Sequence, residues 1–252
     1  MPTPTSTAYK TAADSRNCIK SRSTAGWAQT LDGSHEEADQ TWNNSNNHHT
    51  QVIHEGGTTY TIQRLYLKWT LPTLPPKRGV ERYLIKNFKI RIDTTRSYGG
   101  VLDYGVASDS DGFLNVKLAH ATDDGANSSD AADLWASIDL DKLSDEGRLG
   151  GYTPTPITDG GSIEFECSGG ALLKEMEDRY NRGETAMSFF LITKLELEET
   201  APTGTNQLAW YTWQLGVTDY AMMVMYVDYC VTTDTDFKTG MIDINRGEIL
   251  IT

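Results

Sequence analysis

Glu164 and Glu166, two residues apart in "SIEFEC", are the chain's nearest approach to a carboxylate pair able to do acid–base work on a glycosidic bond. In a strand that spacing points both side chains the same way. Because they alternate with Ile163, Phe165 and Cys167, the solvated face of an amphipathic strand is the stronger account. "HEEAD", with His35, Glu36, Glu37 and Asp39, precedes His48, His49 and His54, and imidazole with carboxylate suits zinc. The spacing matches no compact metal motif, and Asn, Ser and Thr surround the set, so a solvated polar loop is expected. Two oxygen-rich turns offer hard ligands for calcium: "SDSDG", with Asp109 and Asp111, and "TDDGANSSD", with Asp123, Asp124, Asn127 and Asp130. Asp and Asn also favour turns for purely local reasons. The expectation is no cofactor, with structural calcium at Asp109, Asp111, Asp123 and Asp124 as the alternative. No Ser, Cys or Lys stands in a nucleophile-like setting, and no glycine loop is built to cradle a phosphate. A non-catalytic protein is expected.

Flat aromatic faces are the remaining chemistry. Trp27, Trp42, Trp135, Trp210 and Trp213 could stack on sugar rings, although burial in a core or interface is the commoner fate. Trp210 and Trp213 differ in strand parity, so one of them should face outward, and these two are the candidate glycan contacts. Trp69 shares the face of Leu65, Leu67 and Leu71 and should be core. Cys18, Cys167 and Cys230 form an odd set without CxxC spacing, which reads as three free, largely buried thiols.

The elements that must position these residues are mostly strands. Short apolar runs recur between turn-rich stretches, the pattern of an all-β sandwich or barrel. "FKIRI" puts Phe88, Ile90 and Ile92 on one face, and "LNVKLA" does the same with Leu114, Val116 and Leu118. "AMSFFLITKLEL" and "AMMVMYVDYCV" are more continuously apolar, as central strands covered on both faces should be. One segment is convincingly helical: in "ALLKEMEDRYNRG", Leu172, Leu173, Met176 and Tyr180 share a face, with Lys174, Glu175, Glu177 and Asp178 opposite. Gly183 is placed to stop it. The tract from Gly33 to Gly57 is the longest loop candidate. No repeat or long linker divides the 252 residues, so a single domain is expected.

"TIQRLYLKWTLPTLPP", Thr61 to Pro76, is the most informative stretch. Its apolar positions are even at Tyr60 and Ile62 but odd from Leu65 onward, which predicts a bulge near Gln63 and Arg64. Pro72, Pro75 and Pro76 cannot donate ladder bonds, so the strand must leave its sheet through a proline-rich crossover into the next strand. "QRLYLKWTLPTLP" followed by "VERYLIKNFKIRI" resembles the signature hairpin of the DNRLRE-type, carbohydrate-binding-module-like β-sandwich family. "AADSRNCIKS" resembles that family's opening strand, "ALLKEMEDRYNRGETAMSFFLI" its short helix and following strand, and "YAMMVMYVDY" its closing strand. The resemblance spans roughly residues 9–231. It implies an antiparallel, jelly-roll-like β-sandwich with one short helix, and glycan binding as the recognition function.

After that closing strand, "MIDINRGEILIT" reads as a hairpin around Asn245, Arg246 and Gly247, so residues 232–252 are a C-terminal extension of the sandwich. Ile242 and Ile244, then Ile249 and Ile251, give each arm an apolar period of two. A lone hairpin is marginal in water, so this one is expected to dock on a neighbouring subunit or another virion protein by strand addition, with folding back on its own sandwich as the alternative. The chain carries 22 basic against 35 acidic residues, a net charge of −13. That balance argues against phosphate-tracking nucleic-acid binding and against adsorption to anionic lipid. The N-terminus lacks the basic-then-apolar layout of a secretory signal, and no run approaches a membrane span. The function expected is a structural protein of a tailed-phage-like virion: a capsid decoration, head-fibre or tail-associated subunit. Its partners would be copies of itself, other virion proteins and glycans, and its location the virion. A carbohydrate-binding module of an extracellular polysaccharide-degrading protein is the alternative.

Overall fold

The computed structural model describes residues 5–11, 15–33, 39–41, 47–93, 96–98, 101–103, 106–109, 116–122, 131–144, 148–150, 162–211 and 223–233. The first half of the chain forms β1 (Ser6–Thr11), β2 (Ser15–Ser23), α1 (Trp27–Asp32), β3 (Asp39–Thr41), β4 (Asn47–Gly56) and β5 (Thr59–Thr70). There follow β6 (Glu81–Asp93), β7 (Arg96–Tyr98), β8 (Val101–Asp103), β9 (Val106–Asp109) and β10 (Val116–Ala121). Next come α2 (Ala131–Ala136), β11 (Ile138–Leu143), β12 (Arg148–Gly150), β13 (Ser162–Cys167) and α3 (Gly170–Arg182). The last described elements are β14 (Ala186–Thr193), α4 (Lys194–Leu197), β15 (Thr205–Tyr211) and β16 (Met223–Thr233).

The strands form an antiparallel β-sandwich. One sheet has five strands in the order β1-β16-β6-β13-β12. The other has nine along β11-β10-β14-β5-β4-β15-β9, with β2 beside β5 and β3 beside β2, while β7 and β8 pair separately. The sheets meet where Phe88 of β6 and Phe189 of β14 stand 6.0 Å apart, ring to ring. Phe189 lies opposite Leu67 in register, so Leu65, Leu67 and Trp69 face the same interior, joined from the five-stranded sheet by Phe165, Met225 and Val227. Trp69 is fully buried, as its parity required.

β5 is covered on both faces, and this corrects the expected bulge. Its register with β2 runs unbroken from Tyr60 to Lys68. Residues 61–67 are all buried. Ile62, Arg64 and Tyr66 point away from the five-stranded sheet into a third layer, made by α1, α2 and α4. The parity change is therefore a change of which covered face holds the larger apolar side chains. The face switch that does require an extra residue occurs in β6, whose register with β16 slips between Asp228 and Tyr229. It lets Tyr83 and Ile85 share the inward face with Phe88 and Ile90, all four buried. A second irregularity lies in β4 between His54 and Gly56.

The crossover is as expected. Residues 71–78 carry no strand and take the chain from β5 in one sheet to β6 in the other. Two buried tyrosines hold it: Tyr180 donates to the Pro72 carbonyl and Tyr83 to that of Pro75.

α3 matches the predicted helix, with Leu172, Met176 and Tyr180 buried and Gly183 in the left-handed conformation at its end. Three further short helices correct the expectation of one. α4 takes over "KLEL", the tail of an expected strand, because Thr193 and Glu196 make a capping box. α1 ends at Gly33, whose left-handed backbone lies against Trp135; a Cβ there would fall 2.1 Å from its indole nitrogen. The polar tract expected as a loop contains β3 and β4, because β4 supplies Val52, fully buried, to the core. β1 begins at Ser6, ahead of the expected start of the core at residue 9. Residues 234–252, including the expected C-terminal hairpin, lie outside the described residues.

Candidate functional site: a charged clasp and a proline-walled groove

α3 closes one flank of the sandwich and grips both sheets. On the five-stranded side β13 ends at Cys167, and beyond that point the edge of β6 is met by side chains of the helix. Asn181 accepts from the Tyr83 N–H at 2.9 Å and donates to the Tyr83 carbonyl at 2.9 Å. Glu177 accepts from the Ile85 N–H at 3.1 Å. An amide and a carboxylate thus substitute for a neighbouring strand, satisfying backbone groups that would otherwise be orphaned.

On the nine-stranded side the grip is ionic. Glu175 accepts from Lys142 of β11 at 2.9 Å and from Arg179 one helical turn on at 3.0 Å. Arg182 reaches the same carboxylate at 3.3 Å. Arg179 also donates to the Ala186 carbonyl at 2.9 Å and pairs with Glu184 at 3.1 Å. Its remaining nitrogen, Nη2, lies 3.1 Å from Nε2 of His120 in β10. His120 is 2 % exposed, and its Nδ1 has no hydrogen-bond partner, with Asp139 of β11 at 3.8 Å. Burial, then the Arg179 guanidinium, hold the imidazole below its usual pKa. Burial alone would raise Glu175, but Lys142, His120 and Arg179 outweigh it and bring its pKa down to about 2.

The proline crossover, held at Pro72 by Tyr180 of α3, walls a groove of about 600 Å³ with Thr7 and Ala8 of β1, residues 70–76 and Tyr229 of β16. Among the described residues no charged side chain lines it. β1 is at the end of the five-stranded sheet and pairs only with β16 among the described residues.

The sequence-level candidates fall elsewhere. Glu164 is paired with Lys89 at 3.3 Å and Glu166 accepts from Asn87 at 2.9 Å, both on the outer face of the five-stranded sheet. Trp210 lies in β15 opposite His48, and Asp109 ends β9. Trp213, Asp111, Asp123, Asp124, Ile242, Ile244, Ile249 and Ile251 lie outside the described residues. So do Trp42, His35, Glu36 and Glu37. His54 stacks on Tyr60 at 4.7 Å, and Trp27 meets Tyr60 edge-on at 5.7 Å. Trp135 is buried beneath the Arg64 guanidinium at 3.6 Å. Cys167 and Cys230 are buried thiols outside any disulfide. Among the described residues no three His, Cys, Asp or Glu side chains are grouped to hold a metal, and no helix is long and apolar enough to cross a membrane. The clasp was missed because its members lie far apart in sequence. The faint signals were a histidine inside the apolar run "KLAHA" and the Glu175–Arg179 spacing of one turn.

No protein-family model matches the chain, and no curated protein matches it in sequence.

Proposed function

We propose that the chain is a non-catalytic structural subunit of a tailed-phage-like virion, a capsid decoration, head-fibre or tail-associated protein that assembles by strand addition. The observation that carries this reading is the β1 edge beside the uncharged groove. An extended segment with apolar residues at every second position can hydrogen-bond to such an edge and seat side chains in the cleft. "MIDINRGEILIT" has that pattern at Ile242, Ile244, Ile249 and Ile251, and we assign it as the arm donated to β1 of a neighbouring copy. The resemblance to the DNRLRE-type sandwich family and the net charge of −13 support a soluble, high-copy binding or assembly module. The engagement of Glu164 and Glu166 by Lys89 and Asn87 supports a role without catalysis.

Deleting Met241–Thr252 tests the reading. The truncated chain is expected to keep a near-unchanged melting temperature, to stay monomeric, and to be absent from purified particles by mass spectrometry. A large loss of monomer stability, or unchanged incorporation, overturns it. The Trp27–Tyr60–His54 ring cluster is the observation favouring the second reading, a carbohydrate-binding module of a secreted polysaccharide-degrading protein. An export signal and a catalytic domain in the full gene would decide for that one.

A further inference from the structure

In the ionic grip that α3 makes on β10 and β11, His120 is the titratable member without a formal charge at neutral pH, and its surroundings dictate its tautomer. A guanidinium has only donors to offer. Nε2, 3.1 Å from Arg179 Nη2, must therefore be the lone-pair acceptor, and the proton of the neutral ring sits on Nδ1. That Nδ1–H faces the Asp139 carboxylate, which at 3.8 Å is attractive but too far for a hydrogen bond. Among the described residues, these ionisable groups face the ring. α3 contributes Arg179 and Glu175, and β11 contributes Asp139 and Lys142. The cross-strand neighbour on β14 is Phe189, which does not titrate. The surrounding charges are already matched: Lys142, Arg179 and Arg182 against Asp139, Glu175 and Glu184. A further positive charge would face only carboxylates already engaged by lysine or arginine, Asp139 with Lys142 among them.

We propose that His120 is an acid-sensitive pin: a proton taken up at Nε2 turns the acceptor that Arg179 requires into a second donor, and α3 loosens from β10 and β11. The helix is one rigid element, so loosening at Arg179 also draws Asn181 and Glu177 away from β6. The edge at Tyr83 and Ile85 is then left open for pairing. The direction follows from linkage. Burial and Arg179 hold the folded-state pKa of His120 below its usual 6.5, so the loosened state binds the proton more tightly than the closed one. The closed clasp is at full strength above 6.5 and weakens as the pH falls toward the depressed value. Within that window the opening constant grows by at most about tenfold per pH unit for one proton.

Amide hydrogen exchange of the full chain, expressed as protection factors to remove the intrinsic pH dependence, reads the edge directly. Protection at Tyr83 and Ile85 is expected to fall between pH 7 and pH 5 while the Phe88 and Ile90 amides hold. In His120→Gln, whose side-chain carbonyl can still accept from Arg179 but cannot titrate, protection at Tyr83 and Ile85 should stay level. An equal fall in His120→Gln, or no fall in the unaltered chain, overturns the proposal. Should that variant fail to fold, nitrogen-detected NMR of the unaltered protein decides. The Nδ1–H tautomer is expected at pH 7.5, with ionisation below 6.5 coinciding with the loss of protection. An Nε2–H tautomer, or an imidazolium at pH 7.5 with α3 still protected, overturns it.

Discussion

Arg64 sits at mid-strand in β5, 5 % exposed, with its guanidinium between the Glu196 carboxylate at 2.8 Å and the face of Trp135. Glu196 is itself satisfied twice over, accepting from the Thr193 backbone N–H at 3.0 Å and from its hydroxyl at 2.9 Å. Two charges taken this far out of water persist only because each is paired and hydrogen-bonded. Removing one partner strands the other, so Arg64→Met is expected to lose about 3–5 kcal/mol in urea denaturation. Arg64→Met combined with Glu196→Leu should recover most of that loss, leaving the roughly 1 kcal/mol of the missing cap. A single-variant cost below about 1 kcal/mol would instead show a hydrated pair worth no more than a surface one. The same reasoning separates this pair from the Lys174 contacts to Glu177 and Asp178. There the lysine side chain is 62 % exposed and little stability is at stake.

At the scale of elements, α3 does three jobs with one amphipathic sequence. Leu172, Met176 and Tyr180 enter the core, Glu177 and Asn181 continue the edge of β6, and Glu175 and Arg179 grip β10 and β11. Its exit geometry is set by Gly183, at φ 79°, where the chain must turn back into β14. Nothing lies within 4 Å of a Cβ built there, so Gly183→Ala introduces no clash and tests the backbone alone. A cost of about 1–2 kcal/mol is expected from thermal or urea melts. A neutral or stabilising effect would show that the αL turn relaxes. The helix was legible in the sequence because a 3.6-residue apolar period followed by a glycine stop is a local signal. Its polar face was read only as solvent-facing. Partners from β6, β10 and β11, which turn that face into a clasp, lie 33 to 98 positions away.

At the scale of the whole molecule the two sheets share one core, with Phe88 and Phe189 at the seam and the proline crossover tying β5 to β6. Phe189→Ala should therefore cost about 3–5 kcal/mol. Unfolding followed by tryptophan fluorescence and by far-UV circular dichroism should give coincident transitions in both the variant and the unaltered chain. Two separated transitions would mean that the sheets melt as independent units. From the sequence alone came the β-rich class, the alternation of "SIEFEC", the inward Trp69, the α3 helix and the departure of the chain at Pro72. Each follows from a period of two or 3.6 residues, or from proline's missing N–H, and so is written within a dozen neighbouring residues. Tertiary structure decided the rest. The parity change in β5 looked like a bulge because periodicity assumes one buried face, and only the α1–α2–α4 layer reveals that there are two. The true slip lies in β6, where pairing with β16 must bring Tyr83, Ile85, Phe88 and Ile90 to one side. The setting of His120 likewise depends on which strands and helix meet at one flank. That choice is made by packing between distant segments, which no local pattern records.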